Sequence, residues 1–175
     1  MKRTQRMISV LMILALFASV ASGCQKKEVT CPFTTITWND TMDEIRELEG
    51  DPAESYDSVY GGTTYTFGKE YDGLKGTIKY MFNDEEKLVC LSWMYETDDS
   101  GDLKDVYDKL HSKAEDMLGK SGYKFKSDKF ADMSTPGDVW YLDTGNVSLA
   151  AVDTSEVKAV QYTFLHPDVS EEKPQ

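Results

Sequence analysis

The sequence predicts an α+β domain built from two units, each a helix followed by a three-stranded antiparallel meander, forming one pseudo-duplicated domain with the helices packed on sheet. Three observations carry this. Leu103, Val106, Tyr107, Leu110, Ala114, Met117 and Leu118 recur at helical spacing and draw a continuous apolar stripe. Residues 58–95 and 138–165 are rich in β-branched and aromatic side chains interrupted by short turn sequences. Finally, laying residues 83–95 over 153–164 at a shift of about 70 aligns two acidic turns. Leu91, Trp93 and Tyr95 then fall on Val160, Tyr162 and Phe164 with one slip.

Residues 1–23 read as an export signal: Lys2, Arg3 and Arg6 are cationic, residues 7–20 are apolar, and Ala21, Ser22 and Gly23 are small enough for cleavage. An uncleaved anchor is the competing reading, but this apolar run rises only about 21 Å as a helix against roughly 30 Å of hydrocarbon. Residues 24–35 carry Lys26, Lys27, Glu28 and Pro32 without periodicity and read as a tether. The globular domain is expected over 36–166. Its first helix opens at Thr41 and Glu44, which stand at capping-box spacing, turns Met42, Ile45 and Leu48 to one face, and stops at Gly50 and Pro52. Strands are expected over 63–67, 77–82 and 88–95, with a polar loop over 69–75 and a turn over 83–87. The striped helix follows and ends at Gly119, then strands over 138–142, 147–152 and 157–165. Residues 167–175 are polar and expected to be disordered, and His166 is a loop residue.

Val20-Ala21-Ser22-Gly23-Cys24 resembles the lipobox of bacterial lipoproteins. The resemblance implies that Cys24 receives a diacylglyceryl group, becomes the mature N-terminus and holds the protein at the extracytoplasmic face of the cell membrane. The family usually has Leu three residues before the cysteine, where this chain has Ala21, so cleavage by ordinary signal peptidase and release of a soluble secreted form stays open.

Composition narrows the partners. The chain is 29% charged, and loss of the leader removes three basic residues and no acid, leaving 16 Lys and Arg against 31 Asp and Glu, a net charge of −15. Such a domain is repelled by nucleic acid and by bare anionic lipid. For catalysis there is no G-x-S-x-G, no H-E-x-x-H, and no serine or cysteine with a histidine at motif spacing. The acidic stretch from Glu96 through Asp98, Asp99 and Asp102 to Asp105 lacks the EF-hand register, so no metal is expected. No cofactor motif is present either; Gly61-Gly62 precedes a strand and is turn chemistry. Cys31 and Cys90 either pair after export, or Cys90 is a buried strand thiol and Cys31 an exposed tether thiol.

Aromatic residues crowd the first β block. The third strand is apolar on both sides, with Val89, Leu91, Trp93 and Tyr95 alternating with Leu88, Cys90 and Met94. Either the second unit covers the further face or it is an aromatic recognition surface, for which Tyr65, Tyr80 and Trp93 are the candidate anchors.

The stretch Ile36-Thr37-Trp38-Asn39-Asp40-Thr41-Met42-Asp43-Glu44-Ile45, followed by Leu48, Gly50, Pro52 and tyrosine-rich strands, resembles the helix-plus-meander units of β-lactamase inhibitor proteins and of the small lipoprotein of the outer-membrane barrel-assembly machinery. That resemblance implies helices on antiparallel sheet and work done through protein contacts. The expected function is therefore a noncatalytic protein-binding lipoprotein whose partner is an envelope or extracellular protein. The alternative is a lipoprotein that binds a small molecule or cation, for which an apolar pocket between the units would argue.

Overall fold

Local sequence dictates where each element starts and stops. In the computed structural model, which describes residues 29–125 and 137–173, α1 spans Met42–Glu49. Thr41 caps it: the Thr41 hydroxyl accepts from the Glu44 amide while the Glu44 carboxylate accepts from the Thr41 amide, and Gly50, at φ 89°, ends it. The second helix, α2, spans Ser100–Leu118 between the Asp99 cap and Gly119 at φ 82°. The described residues also form eight strands: β1 Glu54–Asp57, β2 Gly61–Tyr71, β3 Leu74–Asn83, β4 Leu88–Glu96, β5 Tyr123–Phe125, β6 Gly137–Trp140, β7 Val147–Asp153 and β8 Lys158–Leu165.

These strands form one antiparallel sheet in the order β1-β2-β3-β4-β8-β7-β6-β5. This corrects the expected pair of three-stranded meanders. Each helix is followed by four strands, and β4 bonds directly to β8, so strand dominates and a single continuous sheet is the frame of the molecule. The sequence match has a local geometric counterpart. Trp93 stands opposite Tyr162, Leu91 opposite Phe164 and Tyr95 opposite Val160. A two-fold axis through the Trp93–Tyr162 pair carries Leu91 onto Val160 and Tyr95 onto Phe164. The helices do not share this symmetry, because α2 lies over β7 and β8 whereas Ile45 is the one apolar residue that the short α1 fully buries.

The core lies on one face of the sheet. Phe67, Ile78, Tyr80, Leu91, Trp93, Leu149, Val160, Tyr162 and Phe164 pack there, with Leu103, Val106, Leu110 and Ala114 of α2 closing the layer over β7 and β8. Burying each large apolar side chain stabilises by about 1.5–3 kcal/mol. α1 is too short to cover the first half, and residues 29–38 complete the layer. Phe33 makes edge contacts with Tyr71, Tyr162 and Phe164 at 5.7, 5.8 and 5.7 Å, and Ile36 is buried beside it. From Val29 onward, therefore, the expected tether is part of the domain. The C-terminal segment departs from expectation in the same way. The Asn146 amide donates to the Ser170 hydroxyl at 2.8 Å, the Asn146 side chain donates to the Glu171 carbonyl at 2.7 Å, and Pro167–Val169 forms a 3-10 turn. The export signal, Cys24 and residues 24–28 of the tether lie outside the described residues, among which no helix is long and apolar enough to cross a membrane.

Cys31 and Cys90 are free thiols. Cys31 packs against the core, while Cys90 sits on the opposite sheet face with Ser92 and Met94, so the sheet itself separates them. Burial pushes both thiols up to about 12, which leaves them poor nucleophiles.

Candidate functional site

Two of the three sequence-predicted anchors are core residues. Tyr80 and Trp93 are both 0% exposed. The Tyr80 hydroxyl donates to Glu49 at 2.7 Å and accepts from Thr34 at 2.9 Å, and Glu49, itself buried, also holds Lys69 at 2.6 Å. Tyr80 thus ties residues 29–38, the end of α1 and two strands together. Burial, reinforced by the Glu49 carboxylate, pushes its hydroxyl well above the ordinary tyrosine value. The Trp93 indole donates to the Lys69 carbonyl at 3.0 Å and its ring meets Tyr71 edge-on at 5.4 Å. Both are thereby corrected from surface anchors to packing residues. Tyr65 differs: it is half-buried, with its ring edge-on to Phe82 at 5.9 Å.

Trp93 and Tyr162 fill the centre of the junction between the two halves, and beside them a cavity of about 610 Å³ lies between residues 29–38 and Leu48, Lys69, Leu91 and Phe164; the larger opening is at the end of the sheet. The antiparallel topology brings the start of β2, the end of β3, the start of β4 and the end of β8 to one edge of the molecule, where the start of α1 joins them. They enclose an open groove of about 850 Å³. Trp38, Tyr65 and Phe82 supply its aromatic surface. Trp38 stands at right angles to His166, 5.6 Å away. The rim carries Asp40, Asp43, Asp84, Glu86 and Asp168.

Glycines let the walls approach. A Cβ on Gly62 would lie 2.1 Å from the Asn83 carbonyl oxygen, so only glycine permits the β1–β2 turn to press against the β3–β4 turn. The latter is held by the Asn83 side chain, which accepts from the amides of Glu85 and Lys87 at 3.1 and 2.9 Å. At the opposite wall Asp40 accepts from the Thr37 amide at 2.6 Å, fixing the approach to α1. The groove is therefore preformed by capping and turn chemistry.

A second polar cluster lies beneath α2. Asp138, buried, accepts from the hydroxyls of Tyr107 and Ser121 and stands 3.3 Å from His111 Nε2, 3.6 Å from Lys124 Nζ. Burial raises its carboxyl, but the hydrogen bonds from Ser121 and Tyr107 and the positive charge of His111 and Lys124 outweigh that and hold it below the usual carboxylate range. The serine bonds the aspartate and not the histidine, so this cluster holds α2 to β6.

Tyr65 is legible in the sequence but the groove is not, because its carboxylates come from three separated stretches whose only common property is the end of the sheet they occupy. The signal was Gly61-Gly62 facing an acidic turn. Among the described residues no group of histidine, cysteine and carboxylate side chains is arranged to hold a metal ion. Comparison with protein-family models, curated proteins and solved structures finds no match for this chain.

Proposed function

We propose that the chain is a lipid-anchored extracytoplasmic protein whose folded domain acts, without chemistry of its own, by binding another envelope or extracellular protein in the groove at the end of its sheet. The groove carries this reading. It is open, preformed, walled by half-buried aromatic rings and rimmed by polar groups, the composition that gives protein-recognition sites large contact area at low entropic cost. Its polar lining combines carboxylates and the asparagines Asn39 and Asn83 with Lys87 and His166, which orient a partner.

The anchor fits this placement. Four residues separate Cys24 from Val29, where the packed domain begins, and the five Cα steps between the two reach at most about 18 Å. The domain then works at the membrane surface, while its negative charge keeps it from lying on anionic lipid.

Photo-crosslinking in the source cell tests the reading. A benzoylphenylalanine in place of Tyr65 is expected to give a discrete protein adduct, whereas the same group in place of Asp116, exposed on α2, gives none. Absence of an adduct at position 65, or an equal adduct at both, overturns it.

A further inference from the structure

We propose that the end groove takes a cationic peptide segment, carrying lysine or arginine side chains along an extended backbone. This rests on the groove being a protein-binding site and adds the chemistry of what binds. Asp40 and Asp43 stand on the α1 side, Asp84 and Glu86 on the β3–β4 turn, and Asp168 closes the end beyond β8. The basic groups in the lining are already engaged. Lys87 Nζ lies 2.6 Å from Glu85, and His166 Nδ1 accepts from the Asp168 amide at 3.1 Å. Negative charge therefore faces the open groove from three sides; Asp43 is met by Arg46 at 3.7 Å and Asp168 by His166 Nδ1 at 3.5 Å, while Asp84 and Glu86 make no ion pair among the described residues.

The helix N-terminus at the groove does not reverse this sign. Thr41 accepts from the Glu44 amide, Glu44 accepts from the Thr41 amide, and the carboxylates of Asp43 and Glu44 fill the first turn with negative charge, so no anion is drawn there. Carboxylates on three sides of a space this size are more than one ammonium group can meet, whereas successive basic side chains on one chain reach several. Trp38 and Tyr65 between the walls give guanidinium and ammonium groups ring faces to lie over, and give their methylene stems an apolar bed. Each exposed charge pair alone adds little, so affinity requires the aromatic contacts and the charges together.

The chain carries its own reporter. Trp38 is half-buried in the groove, while Trp93 and Trp140 are 0% and 1% exposed in the core. Full-length protein in neutral detergent is titrated with a capped hexapeptide alternating lysine and alanine, followed by tryptophan fluorescence. The expected result is a saturable change, absent in Trp38→Phe, whose dissociation constant rises about tenfold or more in Asp84→Asn/Glu86→Gln. It is expected to stay within about twofold in Asp105→Asn/Asp116→Asn, which removes the same charge from the outer face of α2. Three results overturn the proposal: no saturation, an equal loss in the α2 variant, or equal binding of the hexapeptide alternating glutamate and alanine. If the peptide fails while the crosslink at position 65 persists, the cationic assignment falls and the groove remains a protein-binding site.

Discussion

Replacing Tyr80 by Phe removes one oxygen from the interior and separates the two roles that a tyrosine in an aromatic sheet could have. The hydroxyl is buried, donates to the Glu49 carboxylate at 2.7 Å and accepts from Thr34 at 2.9 Å. Its loss leaves Glu49, whose side chain is 5% exposed, with Lys69 as its remaining partner at 2.6 Å. A hydrogen bond to a buried charged group contributes about 1.5–3 kcal/mol, and the phenyl ring keeps the packing, so Tyr80→Phe is expected to lower unfolding free energy by about that amount. Tyr80→Ala adds the lost ring and is expected to cost about 3–5 kcal/mol or more. Urea unfolding followed by circular dichroism measures both, with the m-value unchanged in Tyr80→Phe because the surface exposed on unfolding is the same. A double-mutant cycle with Glu49→Gln is expected to give a coupling of about 1 kcal/mol or more. If Tyr80→Phe and Tyr80→Ala both change stability by less than about 0.5 kcal/mol, Tyr80 is not the buried link between residues 29–38, α1 and the sheet, and the layer described over the first half is wrong.

Leu110, 0% exposed at the centre of α2, is expected to cost about 2–5 kcal/mol when truncated to Ala in the same urea assay, and a cost under about 1 kcal/mol would mean that α2 is not core-packed. The depressed Asp138 carboxyl contributes stability that is present above the unfolded value near 4 and is lost as pH falls through the folded one. The stability gap between wild type and Asp138→Asn is therefore expected to narrow as pH drops from about 6 to about 3, and a gap independent of pH would contradict the assignment. For the anchor, mass spectrometry of the mature N-terminus is expected to find Cys24 with a diacylglyceryl mass, and an N-terminus at Ser22 or an unmodified Cys24 would show a soluble secreted protein instead.

The sequence makes the helices legible and hides the sheet edges. The stripe from Leu103 to Ala114 matches the α2 residues that are buried, with Met117 and Leu118 partly buried at its end, and the Thr41–Glu44 box is formed in the structure, because caps and helical periodicity are local signals. β1 is exposed along its whole length, so no alternation marks it. β2 and β3 run further than their sequences predict, because Lys69, Glu70 and Lys75 look like loop although Asp72-Gly73, at φ 56° and 80°, is the two-residue hairpin turn that joins the strands. Lys109 and Lys113 of α2 clasp that turn through Asp72, a contact that no local pattern announces.

The faces of β4 were hard to read for a related reason. An irregularity beside Leu88 shifts the register, and Leu88 joins Leu91 and Trp93 in the core instead of falling on the face of Cys90. With that shift, alternation alone could not say that Trp93 and Tyr80 point into the molecule. The groove was out of reach because Trp38, Tyr65, Asp84 and Asp168 are united only by topology.

The central claim is that recognition runs through the end groove and not through the buried aromatics or the other surfaces of the sheet. The most direct measurement is the affinity of a partner recovered by crosslinking at position 65 for Trp38→Ala, Tyr65→Ala and Tyr56→Ala, the last an exposed tyrosine on edge strand β1 outside the groove. The first two are expected to lose about 2 kcal/mol with the fold intact, and the third less than about 0.5 kcal/mol. A partner that loses affinity with Tyr56→Ala and keeps it with Trp38→Ala and Tyr65→Ala would contradict the account and place recognition along the sheet edge.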